Sequence, residues 1–209
     1  PFWETYPDQF VNAGIAEQGM TGLAAGRAMT GRTVLTYSIG NFPTLRCIEQ
    51  IRNDCAYHDA NVKVVCVGGG SVIDSAKAIA AGVVYEGDFW DFYSGKASVE
   101  KALPIGTVLT IAAAGSEGSG DTVVTQEATG LKRGAGSNAL RPRFSIMNPE
   151  LTCTLPAFQT ACGACDIMAH VFERYFTNTP EVEITDRLCE AVLTTMVKEA
   201  PRVIADPNN

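Results

Sequence analysis

The length, charge and composition of the chain exclude several classes of protein. Its 209 residues carry 16 Lys+Arg against 23 Asp+Glu, with no basic run and no interleaving of aromatic and basic residues, so we expect no nucleic-acid partner. No apolar run reaches the ~20 residues that a membrane span needs, and no charged start followed by an apolar stretch marks a signal peptide. The seven cysteines fit reduced thiols better than a disulfide framework. We therefore expect a globular, cytoplasmic protein without a membrane partner.

The first 60 residues alternate between strand and helix patterns. Short strands are predicted at 10–12 and 33–37, helices at 15–29 and 44–57, and a turn-rich loop at 38–43. In the first helix, the residues that share one apolar face are Ile15, Met20, Leu23, Ala24 and Met29. Such alternation is typical of a parallel sheet that is covered by helices.

The segment NVKVVCVGGGSVIDSAKAIAAG, residues 61–82, predicts a strand, a glycine turn and a helix. Its β-branched valines are typical of a buried strand, and the Ala-rich part predicts a helix over 71–81. Because Gly68, Gly69 and Gly70 lack a Cβ, the backbone can turn tightly and a ligand can approach closely. The free N–H groups at the helix start favour an anion such as a phosphate. A merely structural turn is about as common for GGGS, so both interpretations stay open at this point.

A second small-residue loop, AAAGSEGSG, follows the next predicted strand at 104–111. Two strand ends with such loops belong on one edge of a parallel sheet, where α/β proteins bind their ligands. Around them, the sequence predicts a polar-aromatic loop at 86–94, a strand at 121–125, a basic turn-prone segment at 132–143 and a brief strand at 144–147.

Helical patterns dominate from about residue 154 onward. Helices are predicted at 158–176 and 181–198, and the second carries on one side Ile184, Leu188, Ala191, Val192 and Thr195.

Two groups in the first of these helices could carry chemistry. Asp166 and His170 are four residues apart, so their side chains share a face and could grip a divalent ion such as Fe(II) or Zn(II). The alternative is an Asp–His hydrogen bond that only steadies the helix. Cys162 and Cys165 have C-x-x-C spacing, for which we favour small buried thiols over a zinc site.

Four segments occur in an order that resembles the iron-containing alcohol dehydrogenase family, in particular its NADP-linked butanol dehydrogenase branch: GGGSVIDSAKAIAAG, VLTIAAAGSE, ALRPRFSIMNPELTCTLP and ACDIMAHVFERYF. The resemblance covers about residues 64–209. It implies an α/β dinucleotide-binding domain followed by an all-helical domain, with the active site in the cleft between them. It also implies reversible hydride transfer between NAD(P)H and a primary alcohol or aldehyde, with Fe(II) or Zn(II) holding the substrate oxygen as a Lewis acid.

The same resemblance implies roles for individual residues. The pyrophosphate turn, the loop that lines the cofactor and a lysine near the nicotinamide ribose match Gly69, Gly70, Ser71, Thr110, Ala113 and Lys132. The first two metal ligands match Asp166 and His170.

Three departures lead us to expect impaired activity. Ala114 stands where the family has Thr, the family's two further histidine ligands lie downstream of residue 209, and residues 1–63 replace part of the adenine and 2′-phosphate pocket. The choice between NAD and NADP therefore stays open.

A second resemblance covers roughly the first 67 residues. The stretch FVNAGIAEQGMTGLAAGRAMTGRTVLTYSIGNFPTLRCIEQIRND, residues 10–54, is similar to the pyrimidine-binding domain of transketolase-type, thiamine-diphosphate-dependent enzymes. That resemblance implies that Glu17, in the GIAEQ motif, hydrogen-bonds the aminopyrimidine and promotes ylid formation, with a partner domain binding the diphosphate. The alternative interpretation is a solvated acid in a first helical turn.

Together these patterns predict an α/β fold: a parallel sheet with flanking helices, of the dinucleotide-binding type, followed by a truncated all-helical domain. We expect boundaries at 1–67, 68–153 and 154–209 in a chimera that is natural, engineered or assembled in error. The first functional hypothesis is a metal-dependent NAD(P) alcohol dehydrogenase. The second is a thiamine-diphosphate-dependent subunit that uses Glu17, and the third is a non-catalytic α/β module. Uncovered apolar helix faces predict a homo-oligomer or other self-association.

Overall fold

The computed structural model describes residues 1–38, 43 and 45–208. Within that part of the chain, the strands are β1 (Val34–Thr36), β2 (Val62–Val64), β3 (Cys66–Gly68), β4 (Gly106–Leu109), β5 (Asp121–Gln126), β6 (Leu131–Gly136) and β7 (Phe144–Ile146). The α-helices are α1 (Phe2–Thr5), α2 (Glu17–Met29), α3 (Ile48–Gln50), α4 (Gly70–Gly82), α5 (Trp90–Ser94), α6 (Ala157–Tyr175) and α7 (Glu183–Ala205). Short 3-10 turns lie at Pro7–Gln9, Leu45–Cys47, Ser116–Gly118, Asn138–Leu140 and Pro149–Thr152.

Parallel pairing organises the first two thirds of the chain. Strand β1 pairs with β2, and a separate sheet has the order β3-β4-β7, with all of these neighbours parallel. Strands β5 and β6 form an antiparallel hairpin. The parallel strands with their intervening helices, followed by helices α6 and α7, confirm the predicted α/β class with a helical C-terminal part.

The valine run that predicts a single strand is divided between two sheets. Strand β2 ends at Val64, and the N–H of Val65 donates to the carbonyl of Thr36 at 3.1 Å. Strand β3 then starts at Cys66 and pairs with β4. The continuous-strand prediction was therefore wrong, because apolar periodicity does not report which neighbour a strand pairs with.

Helix α2 buries a face that shares only Ala24 with the one that the sequence predicts. Ile15 precedes the helix and is 96% exposed, while Leu23 and Met29 are also exposed. The buried residues are Glu17, Thr21, Ala24, Ala25 and Ala28. Small side chains let the helix approach β1 closely, so the bulky ones point outward. The strand predicted at 10–12 is also wrong, since these residues form no strand.

The segment between β1 and β2 is only partly described. Residues 39–42 and 44 lie outside the described part, and with them most of the predicted loop at 38–43 and the start of the predicted helix at 44–57. The rest of that helix is irregular: the 3-10 turn is followed by α3 and by a π-helical segment at Ile51–Ala56. Cys47 and Ile51 are buried in it.

Two further predictions in the middle of the chain were wrong. The predicted loop at 86–94 contains α5, which begins where the Asp88 carboxylate accepts a hydrogen bond from the N–H of Trp90 at 2.9 Å and ends at Gly95, with φ of 77°. Phe92 and Tyr93 are buried against α4 in the main core. The segment at 132–143 begins inside strand β6 and is not simply a turn, because its backbone completes the ladder with β5.

The C-terminal helices α6 and α7 pack on each other, and Tyr175 Oη donates to Glu190 Oε1 across them at 3.1 Å. Their positions confirm the predicted helices. The apolar side of α7 predicted from spacing is uncovered, with Ile184 77% and Leu188 63% exposed. Among the residues that the structure describes, no helix is both long and apolar enough to cross a membrane.

The cysteines divide into buried and exposed thiols with different expected reactivity. Burial raises the pKa of Cys66 to about 11, and burial together with the charge of Asp54 raises the pKa of Cys55 to about 11. Cys162 and Cys165 are exposed. At pH 8 we expect iodoacetamide to alkylate this exposed pair at least ~10 times faster than the buried pair, because the thiolate is the reacting form. Peptide mass spectrometry measures the rates.

Alkylation in denaturant provides the control, since all four thiols should then react alike. Equal rates in the folded protein would contradict the placement of the buried thiols.

The raised pKa values also determine how the stability of the fold depends on pH. The unfolded state releases these protons near pH 9 and the folded state near pH 11. The free energy of unfolding should therefore fall as the pH rises through that window.

Candidate functional site

The glycine turn between β3 and α4, referred to below as the cradle, has no side chains of its own at Gly68, Gly69 and Gly70. A Cβ on Gly69 would lie 2.5 Å from Cγ2 of Ile111, so the turn packs on this residue and a larger residue at Gly69 would displace it. Helix α4 begins at Gly70, and the first N–H groups of a helix have no acceptor within it. Ser71 is exposed in that first turn. The turn therefore offers backbone donors and the positive end of a 13-residue helix to an anion.

The loop after β4 lies beside this turn at the same edge of the sheet. The N–H of Thr110 donates to the carbonyl of Gly68 at 3.3 Å. Farther along the loop, Cβ of Ser116 lies 3.9 Å from the position that a Cβ on Gly70 would occupy. Ala113 lies between these two contacts in the chain and is half-buried. The structure thus places the glycine turn and the predicted cofactor loop side by side.

Lys132 lies in a neighbouring cavity rather than in the turn itself. It is on β6, where it pairs with Thr125. A cavity of about 550 Å³ is lined by Lys132, Ser71 and Trp90 among others, between α4, α5 and the hairpin. Ser71 is therefore the predicted site residue that links the cavity to the glycine turn.

A buried lysine that the sequence-based predictions missed stands behind the cofactor loop. Lys77 on α4 is fully buried, and its Nζ donates to the carbonyls of Ser116 at 2.7 Å, Ser119 at 2.9 Å and Asp121 at 2.7 Å. Burial lowers the pKa of Lys77, while the nearby carboxylates of Asp74 and Asp121 oppose that shift. A lysine within the alanine-rich part of a helix is the signal that could have identified it.

Asp74, one turn before Lys77 on α4, accepts hydrogen bonds from the loop and from strand β5. Ser116 Oγ donates to Asp74 Oδ1 at 2.6 Å, and the N–H of Val123 donates to Asp74 Oδ2 at 3.0 Å. Thr122 Oγ1 donates to the carbonyl of Asp74 at 2.8 Å. The loop and strand β5 are therefore attached to α4 through two charged side chains.

The candidate metal ligands lie on α6 with accessible donors. Asp166 Oδ1 and His170 Nε2 are 3.8 Å apart, and the side chains are 46% and 47% exposed. This distance exceeds that of a hydrogen bond, so the predicted helix-steadying hydrogen bond is not made. In the described ranges of the chain, no group of three or more His, Cys, Asp or Glu residues could hold a metal ion. Asp166 and His170 can supply two of the ligands that a complete metal site needs.

Helix α6 contacts the cofactor loop through Gly163. A Cβ on Gly163 would overlap the carbonyl oxygen of Ala112, so helix and loop are in direct backbone contact. At 3.6 residues per turn, Asp166 and His170 lie within about 60° of Gly163 around the helix, and about 5 and 10 Å farther along it. The carboxylate and the imidazole are therefore on the side of α6 that meets the loop.

The comparison with protein families agrees with this arrangement. The sequence model of the family described as iron-containing alcohol dehydrogenase matches residues 8–149. This chain belongs to the iron-containing alcohol dehydrogenase family.

Relatives in the family are similar over most of this chain. The protein named probable NADH-dependent butanol dehydrogenase 2 of Bacillus subtilis is 50% identical over 167 residues, which are 80% of this chain and 43% of that protein. The structure of NADH-dependent butanol dehydrogenase A from Thermotoga maritima is similar with a TM-score of 0.73 and 33% identity, over 96% of this chain and 59% of that one. The chain thus spans about half the length of the relatives that it matches.

The transketolase-like segment also has a relative. A Methanocaldococcus jannaschii protein named as a transketolase C-terminal section is 44% identical over 72 residues, which are 34% of this chain and 23% of that protein. In the structure, Glu17 is only 7% exposed, its Oε1 accepts from Ser38 Oγ at 3.2 Å, and its Oε2 lies 3.5 Å from Arg46. The interpretation of Glu17 as a solvated acid was therefore wrong.

The C-x-x-C interpretation was wrong as well. Cys162 and Cys165 are exposed on α6 rather than buried. Helix α6 contacts the loop through Gly163 and α7 through Tyr175, and the apolar character of the surrounding sequence did not identify which sides of the helix are covered.

The contact at Gly163 yields a test of how α6 is seated. In Gly163→Ala the added methyl group would meet the Ala112 carbonyl, so we expect the free energy of unfolding to fall by about 2 kcal/mol. Gly26→Ala in α2 is the matched control, because nothing lies within 4 Å of its added Cβ. That control should gain up to about 1 kcal/mol from helix propensity. Urea unfolding measures both, and equal effects would contradict the contact.

Proposed function

We propose that this chain is the dinucleotide-binding part, with metal-binding helices following it, of an enzyme that transfers hydride between NAD(P)H and a primary alcohol or aldehyde. The observation that carries the proposal is the glycine cradle at the start of α4, packed against Ile111 of the loop after β4. Family membership and the matched butanol dehydrogenases support it. NADH is the first dinucleotide to test, because both relatives are named as NADH-dependent.

The cradle fits a dinucleotide by the chemistry of its donors. The first N–H groups of α4 would bind the diphosphate oxygens, which can come close to the backbone because Gly69 and Gly70 have no side chains. Thr110 and Ala113 would line the cofactor in the adjacent loop, and the Lys132 ammonium would bind a ribose hydroxyl or phosphate from the neighbouring cavity. Bound NAD(P)H supplies the hydride, and these residues orient it and exclude water from it.

The pair on α6 fits a divalent cation in donor type and accessibility. The Asp166 carboxylate and the His170 imidazole would contribute two ligands to Fe(II) or Zn(II), from the side of α6 that meets the cofactor loop. When bound, such an ion supplies a Lewis acid for the substrate oxygen. Further donors are needed to complete its coordination.

We propose domain boundaries near 67/68 and 153/154. The change of sheet at Val65 supports the first, and the start of α6 at Ala157 supports the second. For residues 1–67 we propose a transketolase-like origin on the basis of the Methanocaldococcus relative, although the family match already begins at residue 8. The comparisons do not support thiamine diphosphate as a cofactor, so the role of Glu17 on that cofactor stays a prediction.

Self-association and a cytoplasmic location stay predictions. The exposed Ile184, Leu188 and Val192 on α7 favour self-association, which sedimentation velocity at several concentrations would measure.

Titration of NADH fluorescence with the 209-residue chain tests the proposed function. We expect enhanced fluorescence with the wild type, and a Kd at least ~10 times higher for Gly69→Ala, because its methyl group would overlap Ile111 and disturb the packing of the loop on the turn. Added Zn(II) or Fe(II) should lower the Kd for NADH. Asp166→Ala should bind NADH without that metal effect, whereas the control Glu100→Ala, which removes an exposed acid elsewhere, should behave as the wild type.

NADPH in place of NADH ranks the two dinucleotides. Absence of any fluorescence change with the wild type would contradict the proposed function, and wild-type affinity in Gly69→Ala would contradict the cradle as the binding site.

A further inference from the structure

The side chain of Lys77 makes an unusually complete set of hydrogen bonds for a buried amine. Besides the carbonyls of Ser116, Ser119 and Asp121, its Nζ lies 3.0 Å from Ser116 Oγ and 3.4 Å from Ser119 Oγ. An ammonium donates three hydrogen bonds and a neutral amine only two. The three backbone carbonyls thus match the protonated form and hold the 116–121 segment around one point.

That segment packs against the glycine turn. Helix α4 carries both the glycine turn at its start and Lys77 in its third turn, so the two are fixed relative to each other. Ser116 Cβ lies 3.9 Å from the position that a Cβ on Gly70 would occupy, so the start of the held segment is next to the turn. A shift of the segment would change how it packs on the turn.

Charged side chains of the surrounding elements lie near the Lys77 ammonium. Asp74 on α4, Asp121 at the start of β5, and Glu117 in the held segment surround the ammonium with negative charge. Arg141 adds a cation from the far side and donates from Nη1 to the carbonyl of Gly118. Two cations, the buried Lys77 and the exposed Arg141, therefore donate hydrogen bonds to carbonyls of the segment.

We propose that Lys77 is a positioning residue, whose buried ammonium holds the 116–121 segment against the Gly69–Ser71 turn in the conformation that dinucleotide binding at that turn needs. The proposal rests on the proposed function for its consequence in binding, but the holding of the segment does not depend on it. Lys77 itself touches neither the cofactor nor the substrate in this account.

Hydrogen exchange and NADH binding in variants of the full chain test the proposal. Lys77→Met keeps an unbranched side chain one atom shorter but cannot donate, Lys77→Arg restores a cation, and Lys101→Met removes an exposed lysine as the control. In Lys77→Met we expect the amides of Gly118 and Ser119, which donate to Gly115 and Ser116, to exchange about 10 times faster, and the NADH Kd to rise about tenfold. Lys77→Arg should recover part of both effects.

The readouts separate positioning from general loss of stability. Binding is measured well below the unfolding temperature of each variant, and exchange in α2 should stay at its wild-type rate. Wild-type exchange and wild-type NADH affinity in folded Lys77→Met would overturn the proposal. If that variant does not fold, Lys77→Gln takes its place, because its amide nitrogen donates two hydrogen bonds instead of three and carries no charge. Unchanged exchange of the segment in folded Lys77→Gln would overturn the proposal equally.

Failure of the proposed function would look different. A wild type that does not bind NADH contradicts the function and the consequence for binding, while the exchange rates still decide whether Lys77 holds the segment.

Discussion

A buried ammonium group is the constraint around which the candidate site is arranged. Removing a charge from water costs several kcal/mol even after relaxation, so Lys77 can be buried only where polar groups replace its hydration shell. The three carbonyls of Ser116, Ser119 and Asp121 do so. Hydrogen bonds to a charged group contribute roughly 1.5–3 kcal/mol each, so the conformation of the loop and the burial of the lysine depend on each other.

The site itself results from where parallel strands end. Strands β3 and β4 lie side by side in the same direction, so the glycine turn and the cofactor loop follow them at one edge of the sheet. Helix α6 then contacts that loop through Gly163, which brings the side carrying Asp166 and His170 to the same edge. The candidate dinucleotide turn and the two candidate metal ligands therefore lie on elements that come together at this edge.

Local patterns in the sequence predicted the parts of this arrangement that local chemistry determines. The glycine turn, the helix after it, the parallel class and the two C-terminal helices follow from residue type and periodicity. Predictions failed where the element that packs against a segment determines its structure or its buried face. The alanine face of α2 is buried because β1 lies close to it, and Phe92 and Tyr93 form a helix over the core of α4 rather than a loop.

Contacts between distant residues were beyond such patterns. Lys77 reaches carbonyls 39 to 44 residues away, and Glu17 is buried beside Arg46, 29 residues on. No spacing rule links these positions, because they are brought together only by the pairing of β3 with β4 and by the packing of α2. An ionisable residue in a helix rich in alanine was the available signal at Lys77, and its meaning depends on what packs against that helix.

The most direct test of this account is the mapping of NADH onto the backbone amides of the ¹⁵N-labelled chain by NMR. If the glycine turn and the loop form the dinucleotide site, added NADH shifts the amide signals of Gly69, Gly70 and Ser71 and those of the loop from Thr110 to Ser119. The amide signals of α2 then stay unchanged. Shifts that are absent, or that are confined to α2 or to the exposed face of α7, would contradict the claim that the glycine turn and the loop held by Lys77 form the dinucleotide site.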